Sequence, residues 1–119
     1  AIVEAGGVEA LIALIGAGTD AQREHAAREL AKLALGSDDN KMAIIDAGGV
    51  EPLVALIEAG TDKQKENAAD ALGRLALGSG DVKMAIVEAG GVKALVALIE
   101  AGTDKQKENA ADALGRLAL

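Results

Sequence analysis

The segment LVALIEAGTDKQKENAADALGRLAL spans Leu53–Leu77 and recurs without a change at Leu95–Leu119, 42 positions later. A fixed long period marks a unit that stacks on copies of itself. Upstream, AIVEAGGVEALIALI at Ala1 returns as AIIDAGGVEPLVALI at Ala43 and as AIVEAGGVKALVALI at Ala85, with the same step and no insertion. One domain covering residues 1–119 thus divides into unit one (1–35), unit two (36–77) and unit three (78–119). The linkers Gly36–Met42 (GSDDNKM) and Gly78–Met84 (GSGDVKM) open units two and three, and unit one lacks its own.

Each full unit carries three helix signals. Ser37, Asp38 and Asp39 are cap candidates for a short helix near Ser37–Ala47, which closes at Gly48-Gly49, where left-handed geometry carries no Cβ penalty. A second helix is predicted over Val50–Ala59, with Val50, Leu53, Val54, Leu56 and Ile57 at helical spacing, Pro52 in its first turn and Gly60 as its stop. The third, Thr61–Leu77, begins with a capping box of Thr61 and Gln64, repeated as Thr19 with Gln22 and Thr103 with Gln106. None of these helices can bury its apolar face alone, and stacking supplies the partner.

Composition narrows the function classes. Half the residues are apolar but none is Phe, Tyr or Trp, so the core is Leu, Ile, Val, Ala and two Met. The aromatic anchors typical of protein hot spots and base-stacking platforms are absent. Without Cys there is no disulfide or thiolate chemistry. A net charge of −7 disfavours nucleic acid and anionic membranes as partners. No apolar run reaches membrane-spanning length, and the start AIVEAGG has no basic signal-peptide region. The missing initial Met suggests a processed or trimmed start; a soluble chain is expected, and its compartment is left open.

Three helices per 42 residues, with the motifs I-[IV]-[DE]-A-G-G-V-x-x-L-V-A-L-I and E-N-A-A-D-A-L-G-R-L-A-L, resemble an armadillo repeat. The likeness covers the whole chain, and the 25-residue identity resembles a consensus-designed array more than a natural duplication. It implies an all-α, right-handed α-solenoid in which the first helix of unit one is truncated. It also implies extended peptides as partners, held along a concave face of third helices by a Trp-x-x-x-Asn pattern. Aligned here, the Asn position falls at Lys32, Arg74 and Arg116, and the Trp position at Arg28, Asp70 and Asp112. All six depart from that pattern.

Arg donates but cannot accept, whereas an extended backbone offers both groups. Asp70 with Arg74, and Asp112 with Arg116, are spaced to pair along one helix and to satisfy the face internally. A solvated charged face is the first reading. The second keeps Arg28, Lys32, Asn67, Asp70, Arg74, Asn109, Asp112 and Arg116 as a weak site for charged peptides.

No enzyme, cofactor or metal is indicated. His25 is the sole His, stands where Asn67 and Asn109 stand in later units, and reads as a helix-surface residue. Glu66 with Asp70 and Glu108 with Asp112 share helix faces too wet for acid-base work. Gly78-Ser79-Gly80 follows no strand, and Asp38, Asp39 and Asn40 lack calcium-loop alternation. Met42 and Met84 recur at one position and read as core filler.

In the third helix of unit one, Ala21, Arg23, His25, Arg28, Glu29, Ala31 and Lys32 replace Lys63, Lys65, Asn67, Asp70, Ala71, Gly73 and Arg74. Glu29 in place of a small apolar residue reads either as a partial N-terminal cap or as natural drift. Unit three carries no such change, so Ala110, Ala113, Leu114, Leu117, Ala118 and Leu119 are expected at a bare face, with Ala1, Ile2 and Val3 at the opposite end. Head-to-tail self-association through these two ends is the resulting expectation.

Overall fold

The structure is a computed structural model that describes residues 5–118. Among the described residues there are eight helices and no strand. Unit one contributes α1 (Ala5–Ala17) and α2 (Asp20–Ala34). Unit two contributes α3 (Asp38–Asp46), α4 (Val50–Ala59) and α5 (Asp62–Leu75), and unit three α6 (Gly80–Glu88), α7 (Gly91–Ala101) and α8 (Asp104–Leu117). The three helices expected in unit two are all present, one or two residues shorter at some ends.

Local chemistry sets these boundaries. Thr61 sits extended as N-cap of α5, its hydroxyl accepts from the Gln64 amide at 3.2 Å, and Gln64 Oε1 accepts from the Thr61 amide at 3.1 Å. The same reciprocal pair opens α2 and α8. Ser37 and Ser79 cap α3 and α6. Gly48 and Gly90 have φ of 76° and 86°, the left-handed region where a Cβ is penalised, and turn each short helix into the next. In unit one, however, α1 runs straight through Gly6 and Gly7, the counterparts of Gly48 and Gly49. The carbonyl that holds the later turn, Ile44 O bonded to Gly49 N at 2.9 Å, corresponds to Ile2, outside the described residues.

The third helices lie side by side, α5 between α2 and α8, and the second helices form a row of their own, α4 between α1 and α7. One continuous apolar core runs through all units, with Leu30, Leu53, Leu72, Leu75 and Leu95 fully buried. Because every unit repeats the same pattern, burial reveals which way each side chain faces. Val50, Val54 and Ile57 on α4 are 5%, 5% and 3% exposed, whereas Val92, Val96 and Ile99 on α7 are 37%, 43% and 38% exposed. These three positions therefore face the following unit. Ala69 and Gly73 are buried while Ala111 and Gly115 are exposed, so they face forward too. Leu11 and Leu14 are half-buried where Leu53, Leu56, Leu95 and Leu98 are buried, which assigns these positions to the preceding unit.

Two expectations are corrected by this orientation. Met84 is 57% exposed, not core filler, because it faces forward from α6, while its counterpart Met42 is packed against the core. Ala110 and Ala113, expected on the bare face of unit three, are fully buried. Ala113 points backward, against α5, where a Cβ built on Gly73 would lie 3.5 Å from its own Cβ.

A buried lysine marks one junction. Lys41 on α3 is 6% exposed and its Nζ donates to Gly36 O at 2.8 Å, just past the carbonyl end of α2. Its stem occupies the place a Cβ at Gly78 would take, so the start of the next linker needs glycine to close over it.

Candidate functional site

The third-helix face places the eight sequence candidates in two classes. Arg28 and Lys32, on α2, stay exposed. Arg28 Nη2 lies 3.4 Å from His25 Nδ1, and Lys32 Nζ lies 3.7 Å from Glu29 Oε1. His25 is on the helix surface as expected, with Nε2 3.8 Å from Glu29.

The Asn and Arg candidates on α5 and α8 do something else: they bind the unit behind them. Asn67 Nδ2 donates to Glu24 O at 3.3 Å, and Asn109 Nδ2 to Glu66 O at 3.1 Å. Arg74 Nη1 donates to Ala31 O at 2.9 Å, and Arg116 Nη1 to Gly73 O at 2.8 Å. Each is a side chain reaching a helical carbonyl 43 residues earlier. Glu24 O and Glu66 O have a second lone pair beside their own ladder bond. Ala31 O and Gly73 O instead lie in the last turns of α2 and α5, where the Leu35 and Leu77 amides bond Lys32 O and Arg74 O, so the arginines supply a partner those carbonyls lack.

Asp70 Oδ1 holds Arg74 Nε at 3.1 Å, the expected pairing along one helix, and aims the guanidinium at Ala31. The equivalent pair is not made: no Asp112 oxygen lies within 4 Å of an Arg116 nitrogen, although Arg116 keeps its carbonyl bond. Asp112 is exposed.

Sequence reasoning assigned Gln64 and Gln106 to capping alone. Both are almost fully buried, and Nε2 of each donates backward, to Asp20 O at 3.0 Å and to Asp62 O at 2.8 Å. The signal was there: a capping glutamine uses only its amide oxygen, leaving an N–H₂ that needs a partner when buried. Three polar side chains per unit thus form a staple across each third-helix interface.

What remains open on this face is a cleft of 220 Å³, bordered by Leu35, Leu77, Asp70, Arg74, Asp112 and Arg116. Larger open grooves, 560 and 570 Å³, lie against the second helices. Leu35 and Leu77 are 58% and 57% exposed. Of the end-face candidates, Leu114 and Leu117 are half-buried against the core, and Ala1, Ile2, Val3 and Leu119 lie outside the described residues.

Helical units in register, each burying its face against the next and bonded to the backbone of the one before, define an α-solenoid. The chain belongs to the armadillo repeat family: the model of the Armadillo/beta-catenin-like repeat matches residues 37–77 and 81–119. No curated protein matches it. Among solved structures it is similar to an engineered protein at 38% identity and a TM-score of 0.89, covering 92% of this chain and 44% of that one. It is also similar to computationally designed armadillo repeat proteins for modular peptide recognition, at 25% identity and a TM-score of 0.88, covering 93% of this chain and 47% of that one. A designed armadillo repeat protein in complex with the peptide (KR)4 shares the fold at 23% identity and a TM-score of 0.90, covering 93% and 46%. The chain spans less than half the length of these structures. It is a designed-like, consensus armadillo array.

Proposed function

We propose that this chain is a non-enzymatic repeat scaffold of three armadillo units in a right-handed superhelix, with no evolved ligand and with a tendency to stack head to tail. The observation that carries this reading is the contrast between α4 and α7: Val92, Val96 and Ile99 are exposed where their counterparts 42 residues earlier are buried. Covering each is worth roughly 1 kcal/mol at about 25 cal/mol per Å². The staple residues support it as well, because their donors are engaged within the array. Sedimentation velocity over a range of concentrations tests the reading. The unmutated chain is expected to gain mass with concentration, and Val96→Glu, an exposed position that the fold tolerates, to remove that gain. A monomer at every concentration would overturn it.

A second reading, a weak binding module for extended charged peptides, has the third-helix cleft and the exposed Asp112 in its favour. The designed relatives for modular peptide recognition make peptides a reasonable class of ligand. Three units span about six extended residues at ~3.3 Å each, so binding is weak and salt-sensitive. Anisotropy titrations with acidic and basic hexapeptides test it, with Arg74→Ala/Arg116→Ala expected to weaken an acidic peptide and Asp112→Asn a basic one. No change in either titration would move the site elsewhere.

A further inference from the structure

We propose that Glu29 is the residue that limits head-to-tail stacking of this chain. The inference rests on the self-association reading above and adds the position that controls it.

The interface in question already occurs twice within the molecule. At the junction of units two and three, a forward face (Val50, Val54, Ile57, Ala69, Gly73) meets a backward face (Leu95, Leu98, Gln106, Asn109, Ala113, Arg116). In a stack of two copies, the forward face of unit three would meet the backward face of unit one. The acceptors are in place: Asp104, Glu108 and Gly115 are the 42-residue counterparts of Asp62, Glu66 and Gly73, whose carbonyls take the staples from unit three. Unit one presents Gln22, His25 and Lys32 at the three donor positions, and half-buried Leu11 and Leu14 where Leu95 and Leu98 sit. Every one of these residues has hydrogen-bonding or apolar character suited to its site.

Among the described residues of this face, Glu29 alone does not fit. Its counterpart Ala113 is fully buried, and the helices approach so closely there that a Cβ on Gly73 would sit 3.5 Å from the Ala113 Cβ and 3.3 Å from Arg116 Nη1. In a stack, the Glu29 side chain would enter that space opposite Gly115, where only a methyl group is accommodated elsewhere. Its charge would suffer as well. Lys32 Nζ at 3.7 Å and His25 Nε2 at 3.8 Å are its present partners. Stacking would draw both toward Gly115 O and Glu108 O as the water leaves, so the carboxylate would lose its partners and its solvent in one step.

Sedimentation of the full chain alongside Glu29→Ala, Val96→Glu and the Glu29→Ala/Val96→Glu double variant tests this. Glu29→Ala installs the residue already present at Ala71 and Ala113 and favours helix, so the fold is retained. It is expected to tighten association by at least about thirtyfold, since an unpaired buried charge costs on that scale. Growth should continue past the dimer, because a head-to-tail contact does not close on itself. The added Val96→Glu should abolish it. Association in Glu29→Ala alone, with a monomeric unmutated chain, would overturn self-association of the unmutated chain and still support Glu29 as the residue that blocks the contact. If Glu29→Ala leaves association unchanged while Val96→Glu still removes it, the end-face reading stands and the role of Glu29 is overturned. If neither the unmutated chain nor Glu29→Ala associates at any concentration, both fall.

Discussion

Replacing a capping glutamine by alanine in different units separates two roles that one side chain performs. Gln22, Gln64 and Gln106 each accept from the amide of their capping Thr, at 2.9, 3.1 and 3.0 Å. Gln22 is exposed and its side chain makes no further bond among the described residues, so Gln22→Ala removes one capping bond, a loss of about 0.5–1 kcal/mol. Gln64 is 1% exposed and its Nε2 also bonds Asp20 O at 3.0 Å and Asp20 Oδ1 at 3.2 Å. Gln64→Ala therefore removes the cap bond, an inter-unit bond worth ~0.5–1.5 kcal/mol, and a buried methylene worth ~0.8 kcal/mol. The sum is about 2–3 kcal/mol, a gap of roughly 1.5–2 kcal/mol over Gln22→Ala, or some 5–10 °C in melting temperature for a chain of this size. Gln106→Ala should match Gln64→Ala, because it makes the same bond to Asp62 O. Urea and thermal unfolding followed by far-UV circular dichroism read the difference. Equal losses at all three positions would refute the staple and reduce these glutamines to caps.

Identical sequence in unequal surroundings supplies further tests. Leu72→Ala should cost about 2–5 kcal/mol as a fully buried deletion, and Leu114→Ala, half-buried in the same 25-residue sequence, clearly less in the same unfolding assay. Gly115→Ala should stabilise by about 0.5–1 kcal/mol, since it lies within α8 and a Cβ there meets nothing within 4 Å. Gly48→Ala should destabilise by roughly 1 kcal/mol or more, because its φ of 76° disfavours any Cβ although the surrounding space is open; a neutral melting temperature would show that the turn relaxes.

Helix boundaries were legible because their causes are local. Thr61 and Gln64 sit three residues apart, and Gly48 closes its own helix, so no distant residue is needed to read them. The facing of side chains was not legible in the same way. Val54 and Val96 lie in identical local sequence, yet one is buried and the other 43% exposed, because the cover comes from a neighbouring unit. The same cause placed Met84 outside the core and hid the second bond of Gln64. The Asp70–Arg74 pair was readable from spacing, but that its guanidinium reaches Ala31 O depends on the distance between α2 and α5.

The direction of the staples explains where this sequence varies. Each staple residue, Gln64, Asn67 or Arg74 and their counterparts, donates from the backward face to a main-chain carbonyl on the forward face of the unit before, and only the glutamines add a side-chain oxygen, that of Asp20 or Asp62. A carbonyl needs no particular side chain, so the forward face tolerates substitution at the residue that supplies it. Ala31 and Gly73 occupy one position, differ in sequence and accept equivalent bonds at 2.9 and 2.8 Å. The backward face has no such freedom, since loss of a donor there removes the bond. Between α5 and α8, which both have a unit behind them, the sequence is unchanged. In α2, which meets no preceding unit among the described residues, Asn becomes His25, Ala becomes Glu29 and Arg becomes Lys32. Variation is concentrated on the one third helix whose backward face carries no staple, and Glu29 there turns a packing position into a charged one.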